Sequence, residues 1–435
     1  MTRKSAIACS PLANQAHQKT LGGVVRLVIE MNNNAVKDTP LPPENQDRRS
    51  LSANTVWVMA VACGIAVANL YYCQPLLAEI AQQFKVPERQ MGIVSALTQV
   101  GYALGLLFFV PLGDVLERRG LILAVLSASV FALLAVAMSP SFGWLAVASL
   151  ALGAATVTPQ MIVPLAAGLT PSAQRGAVVG RVMSGLLIGI LISRTVSGFV
   201  GARFGWRSIY WMAAAITVLL TLLLRVVLPQ SRPGVKMSYP HLLQSLVRLF
   251  VEHPSLRESC VFGAAGFGAF SAFWTTLAFF VASPSYGYGS SVAGLFGLAG
   301  AAGVMAAPIA GRLADQRGPR LTIGAAMVVM LVSYGVLAAF GYQLWGLILG
   351  VILLDLGVQS NQISNQARIY SLPAGAHNRL NTVYMVSFFA GGAVGSWLGA
   401  LGWSMWGWSG VCGVGTGLVL VGLSRYLAGN RPPRR

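Results

Sequence analysis

Gly113-Asp-Val-Leu-Glu-Arg-Arg-Gly120 packs one aspartate, one glutamate and two arginines into eight residues between two apolar stretches. A second charged knot, Gly311-Arg-Leu-Ala-Asp-Gln-Arg-Gly318, follows 198 positions on (113 to 311), with Arg320 just beyond. Each knot is flanked by apolar sequence long enough to cross a bilayer, so each reads as a tight loop at a membrane face. Glycine opens and closes both, where a close helix-to-helix reversal favours a residue without a Cβ. Recurrence at this spacing points to a duplicated chain.

Composition agrees. Hydrophobic residues make up 55% of the 435 and charged residues 10%, and mean hydropathy is +0.67. A soluble domain carries about 25% charged residues, so this chain cannot clothe a water-facing surface. Its apolar runs of about 18 residues or more suit spanning helices, whereas a barrel would show ~10-residue alternating segments. The expected fold is all-α, with twelve transmembrane helices at about 54–78, 91–112, 120–139, 143–168, 177–200, 207–228, 259–283, 291–311, 321–340, 344–367, 380–401 and 407–426. These spans are numbered 1 to 12 below. They form two six-helix halves, 51–228 and 259–426, joined by a cytoplasmic linker at 229–258. Residues 1–50 form a polar, disordered tail and 427–435 a basic one.

The net charge of +18 is a topology signal. With twelve spans both termini share a side, and nearly all Lys and Arg fall there. The other side keeps Lys85, Arg89, Arg203 and Arg207. The positive-inside rule then places both termini in the cytoplasm of a cell (inner) membrane protein, and no nucleic-acid partner is implied. Five cysteines (9, 63, 73, 260 and 412) show no paired spacing, so neither a disulfide framework nor a metal site is expected. No cofactor motif is present, residues 1–30 lack the sustained apolar core of a signal peptide, and a monomer is expected.

Polar residues inside the spans mark candidate faces. In span 1, Asn69, Tyr72 and Cys73 share a face by i, i+3 and i+4 spacing, with Pro75 bending the last turn. Span 4 carries Thr156, Thr158, Pro159, Gln160 and Pro164, which implies a broken or kinked helix. Span 7 offers Ser271, Trp274 and Thr275. Span 5 has small residues at every fourth position from Gly185 through Gly189, Ser193 and Ser197 to Gly201, and span 11 repeats the stripe at Gly391, Gly395 and Gly399. Such stripes admit close helix approach, and tight packing alone is a sufficient reading of them. In the linker, the basic amphipathic patch from His241 to Arg257 reads as lying on the membrane surface.

The Gly113–Gly120 turn, its copy at Gly311–Gly318 and the six-plus-six layout together resemble the major facilitator superfamily. Glu117 and Asp315 hold the acidic place of that family's recurrent loop signature, and Asp114 is an extra acid. The resemblance covers roughly residues 54–426. Ala68-Asn-Leu-Tyr-Tyr-Cys-Gln-Pro-Leu-Leu77 and Asp355–Tyr370 look like the sugar- and drug-efflux branch of proton antiporters. That branch usually carries Gly-Pro-x-x-Gly-Gly in helix 5. This chain departs from it with Ser193-Arg-Thr-Val-Ser-Gly198, and has Ser149 where many members place an Arg in helix 4.

Of the 42 charged residues (30 basic and 12 acidic), only Arg194 in span 5 and Asp355 in span 10 fall well inside a span. A charge near the bilayer centre costs about 2.5–3.5 kcal/mol on insertion scales, so each needs a partner or a wet cavity. Asp355, Gln359, Gln362 and Gln366 share one face, with Asn361 and Asn365 alongside. Gln160 and Gln362 are 202 positions apart, the offset that also relates Gly189 to Gly391. Arg194 is either ion-paired with Asp355 or waiting for an anionic substrate group, since Arg is not easily deprotonated.

The resemblance implies that spans 1, 4, 7 and 10 line a central cavity. The expected substrate residues are then Asn69, Tyr72, Thr156, Gln160, Arg194, Trp274, Thr275, Gln359 and Gln362, with Asp355 as proton carrier. The two turns (Gly113, Asp114, Glu117, Arg118 and Arg119; Gly311, Asp315 and Arg317) are the expected conformational latch. Asp114 would accept from a neighbouring helix N-terminus or pair with Arg118. The function expected is secondary active transport, proton-coupled efflux of a small organic solute, sugar-like or drug-like, by alternating access. A facilitator or symporter, or a non-transporting sensor on the same fold, are the alternatives. An enzyme is not expected.

Overall fold

The computed structural model describes residues 51–231, 238–305, 316–372 and 377–429. Gly311 and Asp315 of the second turn lie outside them.

Span 1 is not one helix. Helix α1 (Ala53–Ala68) starts on the Ser52 hydroxyl, which accepts from the Thr55 N–H, and ends where Asn69 N–H turns back to the Ala66 and Val67 carbonyls. Turns follow, then a 3-10 turn at Gln74–Leu76 and helix α2 (Leu77–Phe84). The expected Asn69–Tyr72–Cys73 face assumed helical continuity and therefore does not form. The chain breaks six residues before Pro75, which sits where a missing N–H costs little.

Helix α3 (Glu88–Phe108) runs into a 3-10 turn at Pro111–Asp114, and α4 (Arg118–Ala137) follows. Span 4 is broken, as its prolines imply, into α5 (Phe142–Ala155) and α6 (Thr158–Leu169). Pro159 lies in the first turn of α6, and Pro164 inside it. Helix α7 (Ser172–Phe204) ends at Gly205, φ +82°, and α8 (Arg207–Val227) follows. The linker contains helix α9 (Tyr239–Glu252). Beyond it come α10 (Pro254–Ala282), α11 (Ser290–Met305), α12 (Pro319–Phe340) and α13 (Leu344–Tyr370). Spans 11 and 12 are run together in α14 (His377–Ala428), interrupted by non-helical backbone at Trp406 and at Gly407, φ +57°.

Among the described residues, nine helices are long and apolar enough to cross a membrane, and Ala53–Ala68 and Ser290–Gly300 are shorter apolar helices. The outer surface fits lipid. Phe131 (72% exposed), Val147 (68%) and Val226 (82%) would be an aggregation hazard in water, whereas α10 is almost wholly buried at the centre.

The glycine stripes are close-packing seams. A Cβ at Gly185 would lie 2.2 Å from the Ala60 carbonyl oxygen, and one at Gly189 2.3 Å from that of Gly64, so α7 rests backbone-on-backbone against α1. On the other side of the linker, Gly391 and Gly395 press in the same way on Ala264 and Gly268 of α10. Contacts across the linker run along α3 with α14 and α7 with α11. Gly120 of the first turn has a different reason from the one expected. Neither Gly113 nor Gly120 has positive φ, whereas Gly318 does, at +87°. A Cβ at Gly120 would meet the Glu117 carboxylate at 3.1 Å, so Gly120 makes room for a helix cap.

Candidate functional site

A cavity of about 650 Å³ lies between the two groups of helices. Asp114, Arg118, His377 and Arg379 line it at the end that carries the charged turn, called here the turn face. It reaches Tyr71 and Asp355 at depth, the latter 11 residues into the 27-residue α13. Gln359, Gln362 and Gln366 line its flank, as their shared face in the sequence suggests, and Gln160 lines it from α6. The remaining wall is largely apolar and rich in aromatic rings. Tyr102 and Phe389 lie 4.3 Å apart between centroids, and Phe267 stacks on Phe388 at 4.0 Å.

Asp355 is 2% exposed, its Oδ2 has no hydrogen-bond partner, and its carboxylate packs against the bare backbone of Gly300. Arg194 is also buried, at 1% exposure, and packs against Gly297 one turn away on the same helix. The small residues of α11 thus allow both charges to approach one seam. Each lies within electrostatic reach of the other, yet among the described residues no ion pair joins them.

Arg194 finds its partners elsewhere. Its Nε donates to Gln74 Oε1 at 2.7 Å, and its guanidinium lies 3.9 Å from the Trp274 ring centroid, 4.7 Å from that of Tyr71 and 5.6 Å from that of Phe270. Cation–π contact in this box offsets part of the cost of burying the charge, and Arg194 Nη2 has no hydrogen-bond partner. Arg194 is therefore stacked behind the wall of the cavity, and Asp355 stands in it.

The other expected substrate residues sit in the surrounding packing. Asn69, Tyr72, Thr156, Trp274 and Thr275 are buried and outside the cavity lining. The Thr156 hydroxyl donates to the Leu152 carbonyl, and Thr275 bonds Ser396 at 2.9 Å. Tyr71 takes the place expected of Tyr72, because the chain is no longer helical there. Tyr102, Phe267, Phe270, Phe388 and Phe389 were missed. An apolar residue in a span looks the same in sequence whether it meets lipid, core or cavity.

At the other end of the bundle, the opposite face, hydrogen bonds cross between the two groups of helices. Ser290 donates to Glu79 and to the Gly198 carbonyl, and the Trp403 indole donates to Glu88. One layer deeper, Gln99 Nε2 donates to Ser396 Oγ at 2.8 Å and Gln99 Oε1 accepts from Ser271 at 3.3 Å.

The first turn is stitched largely to itself. Arg118 lies 3.5 Å from Asp114 and donates to the Gly113 carbonyl at 3.0 Å. Glu117 caps α4, accepting from the N–H groups of Arg119 and Gly120 at 2.9 and 2.6 Å, and from Ser231 at 3.1 Å. Desolvation pushes the Glu117 carboxyl up, but the bonds from Gly120, Ser231 and Arg119 outweigh it and hold the group below its ordinary range. Arg119 donates to the Arg225 carbonyl. Arg379 of α14 lies within electrostatic reach of Asp114, and Arg317 is exposed.

The model described as Major Facilitator Superfamily matches residues 57–373. The chain is 41% identical over 374 residues to the uncharacterized transporter YgaY of Escherichia coli O157:H7, covering 86% of this chain and 95% of the relative. It is 35% identical over 368 residues to the probable transporter SCO4007 of Streptomyces coelicolor, covering 83% and 85%. The crystal structure of the nucleoside transporter NupG superposes with a TM-score of 0.72 at 12% identity, over 87% of this chain and 99% of that one, a likeness of fold. A cavity between two packed groups of apolar helices, joined to this family match and these relatives, leads to one assignment: the chain belongs to the major facilitator superfamily, as a multi-pass membrane transporter and not an enzyme.

Proposed function

We propose that this protein is a proton-coupled secondary transporter that exports an amphiphilic small organic solute by alternating access. Twelve spans in two halves, 51–228 and 259–426, would sit in the inner membrane with both termini and the turn face in the cytoplasm. The carrying observation is the position of Asp355. It is an acid with an unpartnered oxygen at the deep end of a cavity that reaches the turn face. Its near neighbours are the Trp274 indole and, at electrostatic range, Arg194, and a buried carboxylate not locked to an arginine exchanges a proton more readily than one that is. The ring-rich wall with its few glutamines favours a drug-like body over a sugar, which needs many polar partners.

Arg194 supports the carrier role for Asp355. Gln74 and three aromatic rings hold it independently of Asp355, so removing the carboxylate leaves a cation that keeps these contacts. Asp355→Asn is therefore expected to fold in normal yield, to retain solute exchange and to lose uphill transport in sealed vesicles by at least 100-fold. Uphill transport on an imposed pH gradient by the folded variant would exclude Asp355 as carrier. Loss of folded protein, restored by Arg194→Gln, would show instead that the two charges form a structural pair.

A further inference from the structure

We infer that four residues away from the cavity, Glu258, Arg320, Arg368 and Arg425, form a binding site for the phosphate headgroup of an anionic phospholipid. They come from the N-terminal turns of α10 and α12 and the C-terminal turns of α13 and α14, so they meet at one end of four apolar helices. The Glu258 side chain is 6% exposed and holds all three arginines. Arg368 bonds one oxygen, while Arg320 and Arg425 lie 3.4 and 3.9 Å from the other. Three guanidinium groups around one carboxylate leave an excess of two positive charges (3 − 1), and arginine cannot shed its proton.

The cluster's donors are also in surplus. Arg320 adds a bond to the Tyr426 carbonyl at 3.3 Å, while Arg320 Nε and Arg368 Nη1, both buried atoms, have no partner. Repulsion among three crowded cations is relieved by a second anion. Its approach lies over Arg320 and Arg425, whose side chains are 35% and 46% exposed.

The surroundings select a lipid over a free ion. Val421 stands one helical turn deeper on the face of Arg425 and is 57% exposed. Leu321, next to Arg320, is 49% exposed, and Val261, one turn from Glu258, is 36% exposed. The cations thus sit at the head of an apolar, membrane-facing surface, which suits a molecule with a phosphate and acyl chains.

Native mass spectrometry of the full chain, purified from mixed phosphatidylglycerol and phosphatidylcholine, tests the assignment. Phosphatidylglycerol should be retained at least tenfold over phosphatidylcholine. Each arginine contributes roughly fivefold to that preference, so Arg320→Gln with Arg425→Gln should remove most of it. Arg425→Gln alone, at the most exposed of the three, gives a graded loss if the double variant folds poorly. Equal retention of the two lipids, or an unchanged preference in the variants, would overturn the site. Full displacement of the lipid by millimolar inorganic phosphate would overturn it too, by assigning the cluster to a free ion.

Discussion

The two ends of the molecule are held by different chemistry. At the opposite face, polar groups look across the divide: Glu79 to Ser290, Glu88 to Trp403, and Gln99 to Ser271 and Ser396. At the turn face they are satisfied mostly among near neighbours. Asp114 pairs with Arg118, Glu117 caps its own helix, and Glu258 gathers arginines from α12, α13 and α14. The cavity reaches the turn face, where fewer hydrogen bonds cross among the described residues than at the opposite face. Hydrogen bonds contribute about 0.5–1.5 kcal/mol net, and up to about 3 with a charged partner. The crossing set is therefore worth on the order of 5 kcal/mol. That is enough to bias a two-state equilibrium and small enough for the proposed solute and proton to reverse it.

The proposed alternating access requires each half to move as a body, and the glycine seams test that first. Gly189→Leu puts its first side-chain carbon where the Gly64 carbonyl already stands, 2.3 Å away. No rotamer relieves a clash at Cβ, so the cost is about 3 kcal/mol or more. A severalfold fall in monodisperse folded yield is expected, the largest effect outside the cavity. Normal yield and normal transport would mean that α1 and α7 part easily, and the rigid-body picture would fail. Next in size is the clasp itself. Glu88→Gln with Trp403→Phe removes one crossing bond from the opposite face. Labelling of a cysteine placed in the deep cavity, by an impermeant reagent from that side, should rise about tenfold. No change would make the Glu88–Trp403 bond incidental to closure.

Much of the fold is legible in sequence because membrane insertion imposes simple rules. Apolar length gives the helices, Pro159 marks the break between α5 and α6, and the small-residue stripes mark the seams. The site is legible only where a polar residue stands out against an apolar background, as Asp355, Gln160, Gln359 and Gln362 do. Where the backbone leaves the helix, periodicity misleads: the turn after Ala68 brings Tyr71 and not Tyr72 to the cavity. Arg194 signals a buried charge in the sequence, but its box of Gln74, Tyr71, Phe270 and Trp274 is assembled from segments far away along the chain. No local pattern announces such a box. Glu117 reads as half of a latch, yet it also precedes two arginines and a glycine at a helix start, a capping context that was available in the sequence.

That last residue gives the smallest effect and the most direct check on the contrast between the two faces. If the turn face is satisfied from within, Glu117→Gln should lower stability and leave the transport equilibrium alone. A lost N-cap costs about 1 kcal/mol, and the bonds from Gly120, Ser231 and Arg119 hold the wild-type carboxyl below its ordinary range. A group depressed in the folded state stabilises above its unfolded value, about 4.3 for glutamate. That contribution fades as pH falls through the lower, folded value. Thermal unfolding of both proteins should therefore differ at pH 7 and converge at acid pH. A difference that persists in acid would mean the glutamine fails by shape and not by charge. A variant of unchanged stability with altered cysteine accessibility in the cavity would place Glu117 between the halves, and the two faces would no longer differ in kind.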